Sequence, residues 1–276
     1  MLKIGLTGSI ACGKSFIARL FAIYGVTIID SDLISREIVL PHAPTLKALV
    51  AAFGEEILTP QGSLNRPLLR KLVFSDNSKL ATLNSIMHPA IRARTEELCA
   101  LCAQGQMLPS TYHLVCAQTR AQRATERDHM LLSGLEQSVV YGTDGVILND
   151  ARTVQAQTAL QQPLEPSLVL HPQVGVAPPY IMLDIPLLLE NHLEDMVDRI
   201  LVVDAAEDTQ VQRIVARDHC SKELARSIIA KQVPRAVRVA AADDIIVTDK
   251  ADIAEKQKHV LNLHRKYLEL AAQKAV

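Results

Sequence analysis

The run Gly8-Ser9-Ile10-Ala11-Cys12-Gly13-Lys14-Ser15 decides the fold of this chain. It matches G-x-x-x-x-G-K-[ST], the phosphate-binding P-loop, in which backbone N–H groups curl around a phosphate beside a helix N-terminus. The apolar residues 3–7 predict a strand before the loop, and residues 16–24 predict a helix after it. A chance match in an ordinary glycine-containing turn is the alternative, but it does not explain this strand–loop–helix order. The sequence therefore predicts a nucleoside triphosphate site, in which Lys14 reaches the phosphates and the Ser15 hydroxyl ligates Mg²⁺.

Four later runs are short, apolar and β-branched, as expected of strands that are covered on both faces. They are residues 26–30, 180–184, 199–204 and 244–248. Helical segments separate most of these runs. The pattern predicts an α/β fold of the P-loop NTPase type, with a five-stranded, parallel, doubly wound sheet flanked by helices and joined by right-handed crossovers.

The second predicted strand ends in two carboxylates, Asp30 and Asp32. The C-terminal edge of an open α/β sheet is where ligands bind. Phosphoryl transfer to an alcohol needs a group that takes the proton of the acceptor hydroxyl, and Asp32 is the candidate for this base. Asp30 is either structural or binds Mg²⁺ through water. The alternative for either carboxylate is N-capping of the helical run over residues 33–39.

A long excursion separates the second strand from the third. Its first part predicts helices over residues 45–53, 66–74, 77–87 and 89–102. Residues 103–178 contain no lysine and many glutamines, and we interpret them as an inserted module. This module is either an inert surface elaboration, which loops tolerate well, or a partner-binding or regulatory element. Its arginines at helical spacing are weak evidence for nucleic-acid binding; they are Arg120, Arg123 and Arg127.

The segment between the fourth and fifth strands is rich in cationic side chains and predicts two helices over residues 210–238. Its cationic residues are Arg213, Arg217, Lys222, Arg226, Lys231, Arg235 and Arg238. Most of them fit a solvated helical surface. In a P-loop kinase, however, this position holds a lid whose arginines close over the triphosphate.

Composition narrows the class of protein. The chain has 276 residues, 49% of them hydrophobic, and a formal net charge of −1. The length and apolar fraction fit a single large domain, or a core domain with an insertion. The near-zero net charge produces no strong electrostatic field that would favour binding to nucleic acid or to an anionic membrane. With no apolar run of bilayer length and no leader-like N-terminus, the sequence predicts a soluble, cytoplasmic protein that engages neither nucleic acid nor membrane. Oligomeric state stays open.

The five cysteines are scattered, which fits a reducing compartment. Cys99 and Cys102 form a C-x-x-C inside a helical stretch without a second pair, so buried helix cysteines are favoured over a metal or redox site. Cys12 is either a small filler of the P-loop or a thiol made reactive by the helix N-terminus.

Other P-loop classes fit less well. We find no Asn-Lys-x-Asp motif of a GTPase, and the chain is short for a motor ATPase or a helicase. A P-loop, an acidic strand end, an excursion over an acceptor and a basic lid together indicate a small-molecule kinase.

Several segments, in their order along the chain, resemble those of dephospho-CoA kinases. They are residues 7–15, 29–36, 41–44, 53–54, 62–66, 83–91, 184–190 and 202–204, then Gln210, Arg213, Arg217-Asp218, Gln232 and residues 242–246. The resemblance covers roughly residues 1–102 and 179–276. It implies ATP-dependent phosphorylation of the ribose 3′-hydroxyl of dephospho-CoA, the last step of coenzyme A synthesis, with ATP and Mg²⁺ required.

The resemblance also implies a division of the chain. It comprises a P-loop core of residues 1–44 and 179–276, a helical acceptor-binding region of residues 45–102 and a lid of residues 208–240. Residues 103–178 are atypical of the family.

Site residues carry over by position. The catalytic set is Asp32 as base, Lys14 on the phosphates and Arg217 as the lid arginine. The implied ATP site comprises Gly8, Ala11, Cys12, Gly13, Lys14, Ser15 and Phe16, with Ser15 on Mg²⁺. The implied dephospho-CoA site comprises Thr7, Asp32, Arg66 and His88. For His88-Pro89, a plain helix start is the alternative.

The chain departs from the family pattern inside its P-loop. Ser9, Ala11 and Cys12 replace the usual glycine-rich filling, and Phe16 replaces the usual threonine. Further along, Thr248 and Lys250 stand where asparagine and glycine are common, which affects the adenine pocket.

Two further functions remain open at this stage. One is a nucleoside or nucleotide kinase, which the acceptor-region segments disfavour. The other is an inactive P-loop regulatory protein that uses residues 103–178 as a partner surface, which the retained Lys14, Ser15, Asp32 and Arg217 disfavour.

Overall fold

A computed structural model describes residues 1–74, 76–106, 166–170, 174–249 and 252–274. Most of the predicted inserted module, with Arg120, Arg123 and Arg127, lies outside the described residues, as does Lys250. The proposals for the role of that module therefore stay predictions.

The five predicted strands form one parallel sheet in the order β2-β3-β1-β4-β5. Their bounds are Leu2–Gly8 (β1), Thr27–Asp30 (β2), Tyr180–Asp184 (β3), Arg199–Asp204 (β4) and Asp244–Val247 (β5). In the register, Leu6 lies opposite Asp184 and Gly8 lies opposite Val203. The loop that follows β1 therefore starts beside the C-terminal ends of β3 and β4, which confirms the predicted sheet.

Helices flank these strands. In the described ranges the α-helices are Lys14–Ile23 (α1), Ser31–Glu37 (α2), Pro44–Phe53 (α3), Arg66–Phe74 (α4), Asn77–Ala103 (α5), Glu207–Asp218 (α6), Lys222–Ile229 (α7), Arg235–Ala240 (α8) and Ile253–Lys274 (α9). Short 3₁₀ turns occur at Glu55–Ile57, Pro166–Leu168 and Glu194–Met196.

Two helix predictions were wrong. The separate helices over residues 77–87 and 89–102 are one helix, α5, with Pro89 inside it. A proline in a helix interior removes one backbone hydrogen bond, and packing of α5 against α2, α3 and α4 offsets that loss. The basic segment forms three helices instead of two. His219 ends α6 in a left-handed conformation, Ser221 caps α7 through Leu224 N–H, and Pro234 precedes α8.

The chain divides into two compact units, residues 1–29 with 135–276 and residues 30–134. In the first unit the sheet packs on α1 and α9, and its largest buried side chains include Phe21, Tyr180 and Tyr267. In the second unit a smaller core includes Leu49 and Ile57.

A buried polar cluster lies in the first unit. His264 is fully buried. Its Nδ1 lies 2.5 Å from the Tyr180 hydroxyl oxygen, and its Nε2 lies 2.7 Å from the Leu168 carbonyl oxygen. Its ring stacks on Tyr24 at a centroid distance of 5.0 Å. One neutral tautomer, with the proton on Nε2, satisfies both hydrogen bonds. Burial lowers the pKa of His264 and so favours this neutral form.

Candidate nucleotide site

The P-loop follows β1 and passes directly into α1. Gly13 precedes the helix with a φ of 95°, and Ala11 also has a left-handed φ of 59°. Only glycine fits at Gly8, because an added Cβ would overlap the carbonyl oxygen of Val203 on β4. The loop thus reaches the α1 N-terminus in the form that presents backbone N–H groups to an anion.

Lys14, the motif lysine, has a defined partner. Its ammonium donates a hydrogen bond to Asp184 Oδ1, and both side chains are largely buried. Asp184 is the last residue of β3. It was not among the residues predicted for the site, although the signal that selected Asp32, a carboxylate at the end of an apolar strand, also marks it. Asp184 thus holds the Lys14 ammonium at the C-terminal edge of the sheet, where phosphates are expected.

Ser15 is exposed in the first turn of α1. Across the residues described, no group of three or more His, Cys, Asp or Glu side chains could hold a metal ion by itself. Mg²⁺ commonly takes one or two protein oxygens and completes its shell with substrate phosphates and water. The Ser15 hydroxyl and the Asp184 carboxylate, which contacts Lys14, the residue before Ser15, fit that type of site and do not fit a closed protein cage.

Ser9 connects the loop to the helices that follow β4. Its buried Oγ lies 2.5 Å from Gln210 Oε1 and 2.8 Å from Gln232 Oε1. Gln232 Oε1 also accepts the Ile10 N–H at 2.8 Å. Gln210 Nε2 donates to the Ala205 carbonyl at 2.6 Å, which orients its oxygen toward Ser9. The side chain that replaces a usual glycine is therefore hydrogen-bonded.

Arg213 and Thr248 hold the next part of the loop. Arg213 donates to the Ala11 carbonyl at 3.1 Å and to the Thr248 carbonyl at 3.0 Å. The Thr248 hydroxyl donates to the Cys12 carbonyl at 2.6 Å. These bonds hold the carbonyls of Ala11 and Cys12 in the loop. Sequence reasoning placed Thr248 at the adenine pocket and Arg213 in the basic lid segment, but it did not predict that they hold the loop.

Cys12 is a buried filler. Burial raises the pKa of its thiol, and the nearby Lys14 and backbone contacts only partly oppose that effect. Burial and this shift favour the filler role over a reactive thiol. Burial likewise raises the pKa of Cys102 to about 11, which fits a packing role for the C-x-x-C on α5.

A cavity of about 200 Å³ opens beside the loop. It is lined by Gly13, Phe16, Arg213, Thr248 and Lys256. Phe16 is half-buried and packs against the core of the first unit. Burial and the nearby Arg213 charge lower the pKa of Lys256.

The predicted lid arginine, Arg217, lies at the end of α6. It is half-exposed and pairs with Asp218 at 2.8 Å, which raises its pKa. Another arginine of the basic segment, Arg235, makes hydrogen bonds of 2.5 to 3.0 Å to both oxygens of buried Asp204 at the end of β4. The structure thus gives each of these two arginines a carboxylate partner.

Thr7 lies at the end of β1. It is buried, and its hydroxyl donates to the Pro186 carbonyl at 3.1 Å. This bond holds the turn that follows β3.

The second unit contains the remaining predicted residues. Asp30 is the N-cap of α2 and accepts the Asp32 N–H at 2.8 Å and the Leu33 N–H at 3.4 Å. Capping therefore belongs to Asp30, and the capping alternative for Asp32 is wrong. Asp32 lies exposed in the first turn of α2.

Arg66 begins α4 and is exposed. Desolvation, followed by repulsion from Arg36, lowers the pKa of Arg66. His88 is exposed in the middle of α5, so the helix-start alternative for His88-Pro89 is wrong. Within this unit, Glu37 accepts the Arg94 guanidinium at 2.7 Å and joins α2 to α5.

Comparison with known proteins identifies the family. The family model described as dephospho-CoA kinase matches residues 2–137 and 146–255. A dephospho-CoA kinase of Colwellia psychrerythraea is 33% identical over 269 residues, covering 98% of this chain and 96% of the relative. That of Vibrio cholerae is 34% identical over 274 residues, covering 98% and 97%.

A solved structure shows the same fold. A Thermus thermophilus protein superposes with a TM-score of 0.58 at 20% identity, covering 96% of each chain. The sequence matches extend over almost the whole chain and include the P-loop, so the chain belongs to the dephospho-CoA kinase family.

Proposed function

We propose that this protein transfers the γ-phosphoryl group of ATP to the 3′-hydroxyl of the ribose of dephospho-CoA, which yields coenzyme A. The observation that carries the proposal is the P-loop at the end of β1, with the Lys14 ammonium held by Asp184 where it can meet the phosphates. Family membership supplies the acceptor. Among the described residues, no helix combines the length and apolarity needed to cross a bilayer.

In this proposal the protein acts mainly by positioning and by stabilising charge, as expected of a phosphoryl transferase. The loop N–H groups and Lys14 hold the phosphates. Lys14 and the lid arginine Arg217 stabilise the negative charge on the transferred group. Arg217 leaves Asp218, its partner in this structure, to reach it.

Asp32 is proposed as the base that takes the proton of the 3′-hydroxyl. Its carboxylate is exposed in the first turn of α2, just beyond the end of β2, and Asp30 provides the cap in its place. The carboxylate is therefore not committed to holding the helix. Arg66 and His88 are proposed to contact dephospho-CoA, and an anionic ligand would offset the repulsion from Arg36 that lowers the pKa of Arg66. Thr7 serves the acceptor site by holding Pro186.

Bound Mg²⁺ would neutralise phosphate charge and orient the transferred group. Ser15 and Asp184 are the protein residues that would hold it. The Ser15 hydroxyl is exposed at the helix start, and the Asp184 carboxylate lies beside Lys14.

The test is a coupled kinase assay with MgATP and dephospho-CoA, with nucleosides and nucleotides as competing acceptors. We expect turnover of dephospho-CoA, and we expect Lys14→Ala and Asp32→Asn each to lose most of the activity while circular dichroism shows an intact fold. Lys258→Ala, an exposed lysine on α9, is the matched control and keeps full activity. Well-folded wild-type protein that fails to phosphorylate dephospho-CoA would refute the proposal, and faster turnover of a nucleoside would reassign the acceptor.

A further inference from the structure

The backbone of the P-loop is strained at Ala11. Its φ of 59° lies in the left-handed region, which is unfavourable for any residue that carries a Cβ. Glycine takes the same conformation without a steric cost, but this chain has alanine there. Backbone strain persists only where surrounding contacts hold it in place. The contacts on either side of Ala11 therefore decide whether the loop keeps its shape.

Hydrogen bonds hold the chain both before and after this residue. Before it, the Ile10 N–H donates to Gln232 Oε1 at 2.8 Å. After it, the Ala11 carbonyl accepts from Arg213 at 3.1 Å. Gln232 is thus one of two side chains, both from the segment that follows β4, between which the strained residue is fixed.

Gln232 is itself held in place, so its amide oxygen can impose a position on the loop. Its N–H donates to the Ile229 carbonyl at the end of α7, at 3.0 Å. The next N–H, that of Val233, donates to Glu190 Oε1 at 3.0 Å. The Val233 carbonyl accepts from the buried side chain of Arg238 at 2.5 Å. The backbone that carries the Gln232 side chain is therefore anchored on both sides.

We infer that Gln232 is a positioning residue of the phosphate site: by holding the Ile10 N–H, it keeps Ala11 in the left-handed conformation of the anion-binding loop. Gln232 acts on the ligand only through the loop, from a position 222 residues beyond Ile10 in the chain. A glycine at position 11 would not need this support, so the role follows from the loop sequence of this chain. The inference rests on the proposed function for the nature of the anion.

The experiment measures the binding of inorganic tripolyphosphate and of ATP by calorimetry, with Mg²⁺ present and dephospho-CoA absent. Gln232→Met removes the hydrogen-bond acceptor and keeps a side chain of similar length. Ala11→Gly removes the strain, and it is made both alone and together with Gln232→Met. Gln273→Met, at an exposed position near the end of α9, is the matched control.

We expect Gln232→Met to raise the Kd of tripolyphosphate by roughly 5- to 30-fold, because the left-handed penalty of one alanine then lowers the fraction of loop that is competent to bind. The Kd of ATP rises by the same factor, since the effect is on the phosphates. Adding Ala11→Gly to Gln232→Met restores both Kd values, because glycine keeps the conformation without support. Ala11→Gly alone and Gln273→Met both stay close to the wild type.

Three results would overturn the inference. Folded Gln232→Met protein with unchanged affinities would show that the loop does not need this support. A loss of affinity that Ala11→Gly does not restore would show that Gln232 acts on the ligand in another way. Hydrogen exchange in the ligand-free wild type tests the same bond without any substitution: the Ile10 amide should be protected, and exchange as fast as that of an exposed amide is the third result.

These measurements also separate the inference from the proposed function, because none of them needs an acceptor. Protein that binds tripolyphosphate and responds to the substitutions as expected, but does not phosphorylate dephospho-CoA, would refute the proposed function and leave this inference standing.

Discussion

Replacement of Ser9 by alanine tests how this P-loop is held. The Ser9 hydroxyl has one proton and faces two amide oxygens, those of Gln210 and Gln232. Gln232 keeps a donor after the change, because Ile10 N–H still reaches it at 2.8 Å. Gln210 Oε1 loses its donor, and its side chain is 2% exposed. The cost of Ser9→Ala is therefore that of one orphaned buried acceptor.

Such an orphan costs about 1–3 kcal/mol. In a protein of this size each kcal/mol corresponds to about 2–4 °C in Tm. We expect Ser9→Ala to lower the free energy of unfolding by that amount in urea titrations followed by circular dichroism. Ser227→Ala is the matched control, since its exposed hydroxyl bonds only to Leu224 in its own helix, and it should change the free energy by less than about 0.5 kcal/mol.

A double-mutant cycle makes the test specific to the contact. Gln210→Leu removes the orphaned oxygen, so Ser9→Ala should cost less in that background than in the wild type. A coupling of roughly 0.5–3 kcal/mol is expected for groups in direct contact. Strict additivity, or a Ser9→Ala variant as stable as Ser227→Ala, would refute the reasoning.

Three further predictions follow from other contacts. His264→Gln should remove a pH dependence of stability. Because burial lowers the pKa of His264 in the folded protein, the unfolded chain binds the proton first as the pH falls below about 6.5. In that range the free energy of unfolding of the wild type, but not of the variant, should fall by up to about 1.4 kcal/mol per pH unit, as measured by urea unfolding at several pH values. Gly8→Ala, whose Cβ overlaps a β4 carbonyl, should cost more than about 3 kcal/mol in thermal unfolding, and clearly more than Gly62→Ala, whose Cβ meets nothing and whose left-handed φ of 75° alone costs about 1–2 kcal/mol. Asp184→Asn removes the ion pair that positions Lys14 and should lower kcat by roughly 100-fold with a normal fold; an unchanged kcat would contradict that role.

Much of the fold was predictable because it is encoded locally. The apolar, β-branched runs gave all five strands, and their order with the helices gave the parallel sheet. Local signals misled where packing overrides them. Pro89 suggests a break, but α5 continues because its contacts with three neighbouring helices outweigh one lost hydrogen bond. The assignment of the cap of α2 to Asp30 and not to Asp32 depends on where the helix begins, and periodicity does not resolve a difference of two residues.

The partners of the site residues were harder to predict because they are distant in the chain. Lys14 and Asp184 are 170 residues apart, and Ser9 and Gln232 are 223 residues apart. No helical or strand periodicity relates such positions. Chain order did place each of them near an edge of the sheet, so the sequence predicted the neighbourhood but not the bonds.

The hydrogen bonds from distant residues compensate for the non-glycine side chains in the P-loop. Ala11 has a left-handed φ of 59°, which a residue with a Cβ adopts at a cost of about 1–2 kcal/mol. Arg213 holds its carbonyl at 3.1 Å, and Thr248 holds the next carbonyl at 2.6 Å. A loop that has exchanged flexible glycines for Ser9, Ala11 and Cys12 has fewer unfolded conformations to lose, and the side chains that follow β4 and β5 offset its strain. The phosphate-binding conformation of this chain is therefore a property of the whole first unit, and the eight-residue motif alone does not determine it.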